Sequence, residues 1–123
     1  MRKIQIIGYG VELPENTVSF NGQTRYRISG EENQISLAVS ACEKALENTG
    51  IKIDDIDCIV SASAVGIQPI PCTAALIHEK IAKGTSIPAL DINTTCTSFM
   101  TALDTMSYLV EAGRYKRVLI VSC

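Results

Sequence analysis

Cys96 is the residue whose position in the sequence most directly predicts chemistry. It follows an apolar run at residues 87–92 that is typical of a strand, and it begins a helical pattern that extends to residue 112. A thiol in the first turn of a helix faces unpaired backbone N–H groups and the positive end of the helix dipole, and both favour the nucleophilic thiolate. Thr94 and Thr95 are placed to cap this helix and to keep the surroundings small and polar. The pattern indicates a nucleophilic cysteine; the alternative is a small residue of the core.

The other cysteines give no comparable signal. The sequence has five cysteines, an odd number, and no two of them have the spacing of a CxxC pair. This argues against a disulfide framework and against a zinc site. We therefore expect no metal, and we expect small apolar behaviour from most of the remaining thiols, Cys42, Cys58, Cys72 and Cys123.

Composition excludes several classes of function. With 123 residues, of which 46% are hydrophobic and 20% charged, the sequence is typical of a globular protein with one domain over residues 1–123. The net charge is −2 and the basic residues are scattered, so nothing indicates nucleic-acid binding. No apolar stretch approaches the roughly 18 residues of a membrane helix, and the first residues lack a secretory apolar region. We expect a cytoplasmic protein that binds neither nucleic acid nor membranes.

Apolar runs and helical patterns alternate along the chain and predict the elements that position Cys96. Strands are predicted at residues 3–9, 57–64, 87–92 and 117–123, and helices at residues 34–48, 72–83 and 95–112. The strand runs are nearly continuous in apolar residues, as in strands that are covered on both faces, so we predict a parallel α/β sheet between layers of helices. Residues 13–31 are polar and rich in turn residues, and we predict an irregular segment there.

The helical patterns also predict where each helix ends and which face it buries. Gly50, Gly84 and Gly113 are expected to end the helices. The middle helix is expected to turn four apolar side chains inward, Ala75, Leu76, Ile77 and Ile81. The last helix is expected to bury a stripe made of Phe99, Met100, Leu103, Met106 and Val110.

A series of motifs resembles the β-ketoacyl-acyl-carrier-protein synthase III group of thiolase-fold condensing enzymes. The stretch DINTTCTSF at residues 91–99 resembles the family's Asp-containing strand, small residues, active cysteine and Phe. The stretch GYGVELPE at residues 8–15 resembles the family's glycine-rich first strand and Leu-Pro-Glu turn. Further matches are IDCIV at 56–60, PCTAA at 71–75 and GRYKRVLIV at 113–121. The resemblance extends in order over nearly the whole chain.

The resemblance implies an acyltransferase of fatty acid biosynthesis. Cys96 would take an acyl group from a thioester donor, and malonyl on acyl carrier protein would then lose carbon dioxide and attack the acyl-enzyme. The backbone N–H of Cys96 would contribute to an oxyanion hole. The implied fold is thiolase-like, with two similar halves of which this chain supplies part of the first. The implied assembly is a homodimer without a cofactor, with a coenzyme A thioester as a possible substrate.

Two substrate contacts also follow from the resemblance. Ile70 occupies the position that borders the acyl pocket of a twofold mate, where it would help to set the length or branching of the acyl group; the alternative is that it only packs a loop. The family's Trp and Thr-Arg-Thr-Gly segment for coenzyme A is replaced here by NGQTRYRI at residues 21–28, and the sequence has no Trp. Arg25 or Arg27 is therefore a candidate partner for a phosphate, and the alternative is a solvated charge on a loop.

The sequence departs from the family in its histidine. His78 is the single histidine, whereas the family's catalytic His and Asn lie far downstream. We therefore expect His78 to be a surface or interface residue, and we expect the chain to be an amino-terminal piece of a synthase III-like parent that cannot complete condensation. The alternatives are another thiolase-superfamily enzyme, such as hydroxymethylglutaryl-coenzyme A synthase or a secondary-metabolite ketosynthase, and a non-catalytic α/β module that binds a partner.

Overall fold

A computed structural model describes residues 3–123. The strands are β1 (Asn16–Phe20), β2 (Gln23–Arg27), β3 (Cys58–Ser61), β4 (Ala89–Asp91) and β5 (Val118–Val121), and the helices are α1 (Gln34–Thr49), α2 (Thr73–Ile81) and α3 (Ser98–Glu111). Short 3₁₀ turns occupy Ile53–Asp55 and Thr95–Thr97. In this part of the chain no helix is long and apolar enough to cross a membrane.

The main sheet has three parallel strands in the order β4-β3-β5. Ile59 of β3 lies in register with Ala89 of β4 on one side and with Leu119 of β5 on the other. Helix α2 connects the paired strands β3 and β4, and α3 then carries the chain from β4 to β5, on the other side of β3. The predicted parallel α/β sheet is confirmed.

Helices cover both faces of the sheet because successive side chains of β3 point to opposite faces. Ile59 packs in one buried cluster with Cys42 of α1 and Ile77 of α2. Val60 packs in a second cluster with Met106 of α3. Full burial of an Ile or Val stabilises the fold by about 1.5–3 kcal/mol, so β3 contributes to two cores at once. This explains why its sequence is apolar at neighbouring positions.

Helix α1 has caps that the sequence encodes locally. The Asn33 side chain accepts hydrogen bonds from the backbone N–H groups of Ile35 at 2.9 Å and Ser36 at 3.0 Å, and the Ser36 hydroxyl accepts from the Asn33 N–H at 2.9 Å. This reciprocal arrangement is a capping box. Gly50 ends the helix with φ 68°, a left-handed conformation that suits glycine. The predicted helix and its glycine stop are confirmed.

The prediction of an irregular segment at residues 13–31 is wrong, because β1 and β2 form an antiparallel hairpin there. Asn21 and Gly22 connect the strands and have φ values of 48° and 72°. Two successive left-handed residues are what a tight two-residue hairpin turn requires, and Asn-Gly is its strongest sequence signal. The Asn-Gly dipeptide was the sequence signal for this hairpin. The strands on either side of it are exposed and mostly polar, so they lack the apolar pattern by which strands are predicted.

The predicted strand at residues 3–9 is also wrong, because the structure assigns no strand there. A strand exists only where its backbone pairs with another strand, and this segment contacts helix α1 instead. The Asn48 side chain donates to the Tyr9 carbonyl at 3.1 Å. A Cβ atom placed on Gly10 would collide with the backbone of Ala41 and Ala45. Glycine at this position therefore permits the segment to lie directly against α1.

The core face of α3 agrees with the predicted stripe at Met106 and differs from it at Phe99 and Met100. Ser98, Ala102 and Met106 are buried at successive steps of four residues, whereas Phe99 is 44% exposed and Met100 is 66% exposed. The small side chains of Ser98 and Ala102 allow α3 to approach the sheet closely, so residue size decides which face of α3 is buried more than apolar character does. In α2 the innermost residues are Thr73, Ala74 and Ile77, and the other predicted inward positions, Ala75, Leu76 and Ile81, are half-buried.

We predict that Gly10→Ala destabilises the fold while Gly30→Ala does not. The new methyl group at position 10 meets backbone atoms of α1 that cannot move aside, and overpacking of this kind costs about 1–3 kcal/mol. At position 30 a Cβ meets nothing within 4 Å, so we expect a change within about 0.5 kcal/mol. Urea unfolding followed by circular dichroism measures both. Equal stability of the two variants would contradict the packing of residues 3–10 on α1.

Candidate active site

Cys96 is exposed and lies between the carboxyl end of β4 and the first residue of α3. It is the middle residue of the 3₁₀ turn Thr95–Thr97, so it precedes the α-helix by two positions instead of opening it. In parallel α/β sheets, ligands bind beyond the carboxyl ends of the strands. The predicted placement of the thiol at this edge of the sheet is confirmed.

The backbone just before Cys96 is strained. Thr95 has φ 54°, in the left-handed region that a β-branched residue rarely adopts. Such a conformation costs about 1–3 kcal/mol and persists only where surrounding contacts determine it. The Thr95 N–H donates to Asn93 Oδ1 at 2.9 Å, and Asn93 Nδ2 donates to the Ala64 carbonyl at 2.8 Å. Asn93 thus connects the strained residue to the segment that follows β3.

The hydroxyl groups around Cys96 bond to one another and to the turn, and the predicted caps by Thr94 and Thr95 are wrong. The structure finds no side-chain cap at the start of either the turn or α3. Instead, the Ser98 hydroxyl accepts from the Thr94 N–H at 3.0 Å and donates to the Thr95 carbonyl at 2.6 Å. The Thr97 hydroxyl donates to the Thr94 carbonyl at 2.8 Å. These bonds satisfy the turn internally and fix its shape.

Asp91 has a role that the sequence pattern did not reveal. Its two carboxylate oxygens accept hydrogen bonds from the N–H groups of Thr73 at 2.9 Å and Ala74 at 2.7 Å. Cys72, at the capping position of α2, makes no side-chain cap. A carboxylate from β4 therefore caps α2, where the helix dipole favours negative charge. A cysteine is a poor N-cap residue, so Cys72 at the start of α2 was a weak sequence signal that another side chain caps this helix.

The five thiols differ in accessibility. Cys42 and Cys58 are buried, Cys72 is half-buried, and Cys96 and Cys123 are exposed. Burial raises the pKa of the Cys42 thiol to about 12, and the neighbouring Cys123 and Glu43 add to the rise. Burial also raises the pKa of Cys58, although Tyr115 partly opposes it. The prediction that most of the thiols are small and buried is confirmed for Cys42 and Cys58. Cys123 is an exception: it is exposed, and its Sγ lies 3.6 Å from Ser63 Oγ.

The remaining predicted site residues lie in two places. Ile70 is 85% exposed on the loop between β3 and α2. Arg25 and Arg27 lie on β2 and share one face of the hairpin, where Arg25 donates to the Gln23 side chain at 2.7 Å. The loop that carries Ile70 is bonded at its two ends, Ala64 and Thr73, to Asn93 and Asp91 of the segment that leads to Cys96. Among residues 3–123, no cluster of His, Cys, Asp and Glu has an arrangement that could hold a metal ion.

Comparison with known proteins gives a consistent result. The family model for 3-oxoacyl-[acyl-carrier-protein] synthase III matches residues 90–123, which include Cys96. The β-ketoacyl-[acyl-carrier-protein] synthase III of Clostridium acetobutylicum is 32% identical over 98% of this chain, and that of Staphylococcus haemolyticus is 34% identical over 96% of it. The chain is a relative of these synthases. It spans 42% and 43% of their respective lengths.

Solved structures give the same fold. The synthase III of Aquifex aeolicus superposes with a TM-score of 0.87 at 25% identity, over 94% of this chain and 43% of that one. The tetronic acid condensing enzyme AbyA1 superposes with a TM-score of 0.88 at 20% identity, over 97% of this chain and 42% of that one. The chain therefore has the thiolase-like fold of synthase III over the part that it spans.

We predict that Cys96 is alkylated faster than any other thiol in the native protein. Its exposure and its place before α3 favour reaction, and we expect a rate about tenfold above that of the exposed Cys123. Cys42 and Cys58 should react slowest near pH 8, because raised pKa values keep their thiols protonated. Iodoacetamide labelling with peptide mass spectrometry measures the order, and the denatured chain is the control. Faster labelling at any other cysteine would contradict the assignment.

Proposed function

We propose that the protein is an acyltransferase of the synthase III type in which Cys96 accepts the acyl group. The observation that carries this proposal is an exposed thiol at the carboxyl end of β4, inside the residues that match the synthase III family model. The proposal concerns the whole protein, because the chain spans 42% of the length of a relative such as that of Clostridium acetobutylicum.

The first step is the transfer of an acyl group to the thiol. The Cys96 thiolate attacks the carbonyl carbon of an acyl thioester, and a bond forms between Sγ and that carbon. The donor's thiolate leaves and takes up the proton that Cys96 released. Backbone N–H groups beside Sγ, including that of Cys96, stabilise the oxyanion that forms on the carbonyl oxygen. A rigid turn is suited to this because the donors need not reorganise during the reaction.

The second step is condensation with a malonyl thioester on acyl carrier protein. The bond to the malonyl carboxylate breaks, carbon dioxide leaves, and the electron pair forms a new bond to the acyl carbon. The Cys96–acyl bond then breaks and the thiolate returns, so that a β-ketoacyl thioester enters fatty acid biosynthesis. This step needs groups that stabilise the enolate. His78 does not suit that role, since its Nε2 lies 3.3 Å from Thr85 Oγ1, ahead of the amino end of β4 and away from Cys96.

A second copy of the chain completes the proposed acyl pocket. Strand β4 pairs with β3 alone among the described strands, so its other edge is available to a twofold mate. Ile70 exposes 85% of its surface, which argues against the alternative that it only packs its own loop. We infer that Ile70 contacts the acyl group or the pocket of the mate.

The hairpin provides the proposed contact with the donor. Arg25 and Arg27 are exposed on the same face of β2, and Val18 of β1 lies opposite Arg25 on that face. Guanidinium groups bind phosphate oxygens with two hydrogen bonds, and an apolar neighbour suits a nucleotide ring. We propose that this face contacts the phosphates of a coenzyme A thioester.

We predict that the purified 123-residue chain forms an acyl adduct on Cys96 and releases no carbon dioxide. Incubation with an acyl-coenzyme A, followed by intact-mass and peptide analysis, measures the adduct. Malonyl-acyl carrier protein is then added and carbon dioxide is followed. Cys96→Ala should abolish the adduct, whereas Cys123→Ala, which removes the other exposed thiol, should retain it. An adduct that survives Cys96→Ala would refute the assignment of Cys96 as the nucleophile. Cys96-dependent release of carbon dioxide would refute the claim that condensation needs enolate-stabilising groups beyond these 123 residues.

We predict that substitutions of Ile70 change acyl-chain preference. Ile70→Gly enlarges the pocket and should favour longer or branched acyl groups, while Ile70→Phe should favour shorter ones. One or two methylene groups in an apolar pocket are worth about tenfold in selectivity. Adduct ratios from a mixture of acyl-coenzyme A donors measure the preference. Ile6→Phe, at an exposed position on another segment, is the control. Equal ratios in all variants would remove this role from Ile70.

A further inference from the structure

We propose that Asn93 is a positioning residue that sets the Cys96 turn and the Ile70 loop relative to each other. The inference rests on the proposed function and deepens it, since it names the side chain that links the acyl-accepting thiol to the acyl-selecting loop. Asn93 lies two residues after the last residue of β4 and three residues before Cys96.

The two ends of the Asn93 amide make two different contacts. Its oxygen accepts from the Thr95 N–H at 2.9 Å, and its nitrogen donates to the Ala64 carbonyl at 2.8 Å. The amide oxygen therefore contacts the turn that holds Cys96. The amide nitrogen contacts Ala64, the first residue of an exposed stretch at residues 64–71 that contains Ile70.

The hydrogen bond to the Asn93 oxygen matters because it stabilises Thr95 in an unfavourable backbone conformation. Its φ of 54° is unfavourable for a side chain with a branched Cβ. Without the oxygen of Asn93, the Thr95 N–H loses a partner that holds it in this conformation. A relaxed Thr95 would rotate the peptide that follows it, and Cys96 Sγ would move with that peptide.

The donor contact matters because it fastens one end of the Ile70 loop. The other end is fastened by Asp91, which accepts from the N–H groups of Thr73 and Ala74. Gly66 within the loop passes so close to α2 that an added Cβ would lie 2.8 Å from Thr73 Oγ1. The loop is therefore held at both ends by side chains from the segment 91–93 that leads to Cys96. At the Ala64 end, Gln34 Nε2 also donates to the Val65 carbonyl at 2.6 Å. Loss of the Asn93 contact therefore removes the hold that comes from the Cys96 segment, while the Gln34 contact and the Asp91 end stay in place.

Four variants separate these contacts. Asn93→Ala removes both, whereas Asn93→Ser keeps a neutral hydroxyl that can still accept from the N–H two residues on but is too short to reach Ala64. Asn48→Ala is the matched control, because Asn48 also donates to a backbone carbonyl, that of Tyr9, at a distant place. Thr95→Gly, combined with Asn93→Ala, tests whether the strained φ is the reason that the acceptor is needed.

The measurements are the acylation rate of Cys96, its iodoacetamide rate relative to Cys123 in the same sample, hydrogen exchange at the Thr95 amide, and the acyl-chain ratios. We expect Asn93→Ala to slow acylation by about tenfold to a hundredfold, to change the relative alkylation rate and to expose the Thr95 amide. Asn93→Ser should retain most of the acylation rate but not the wild-type acyl-chain ratios. Thr95→Gly in the Asn93→Ala background should restore part of the acylation rate. Asn48→Ala should change none of these measurements.

The outcomes distinguish this inference from the proposed function. Absence of acylation in the wild-type protein would overturn the proposed function, while amide exchange and alkylation would still test Asn93. Unchanged exchange and alkylation in Asn93→Ala would overturn the positioning role. Equal effects of Asn93→Ala and Asn48→Ala would show a general loss of stability and would also overturn it. Identical behaviour of Asn93→Ala and Asn93→Ser would refute the separation of the two contacts.

Discussion

Parallel pairing of β3 with strands on both of its sides is the constraint on which the candidate site depends. Parallel strands place their carboxyl ends at one edge of the sheet, so the segments that follow β3, β4 and β5 must begin side by side. The residues after β3 are contacted from both directions. Asn93 donates to Ala64 from the β4 side, and the Cys123 N–H donates to Ser63 from the β5 side at 3.0 Å. The thiol is placed by this geometry more than by its own helix.

The elements with strong local signals could be predicted from the sequence. Apolar runs identified β3, β4 and β5, and the signal is explained most fully for β3, which is buried at every position between two helical layers. Gly50 and Gly113 have φ values of 68° and 74°, and both follow helices that the spacing of apolar residues had indicated. The position of Cys96 at the strand–helix junction followed from the same two patterns.

Features that depend on distant residues could not be predicted in this way. Whether residues 3–10 form a strand depends on a neighbour in space, and the apolar run alone does not supply one. The burial of Ala102 in place of Phe99 depends on how closely α3 approaches the sheet. Asp91 and Asn93 act on residues 17 to 18 and 29 positions away in the sequence, so their roles became visible only once β3 and β4 were paired.

The outer edges of β4 and β5 have a consequence for the behaviour of the chain in solution. Each of these strands pairs on one side only within residues 3–123, and its other side presents backbone donors and acceptors that any extended peptide can match. Such an edge does not discriminate strongly between a correct mate and a partly folded copy. The yield of refolded chain should therefore fall as protein concentration rises, and a Lys placed on the outer edge should reduce that loss by making mispairing unfavourable.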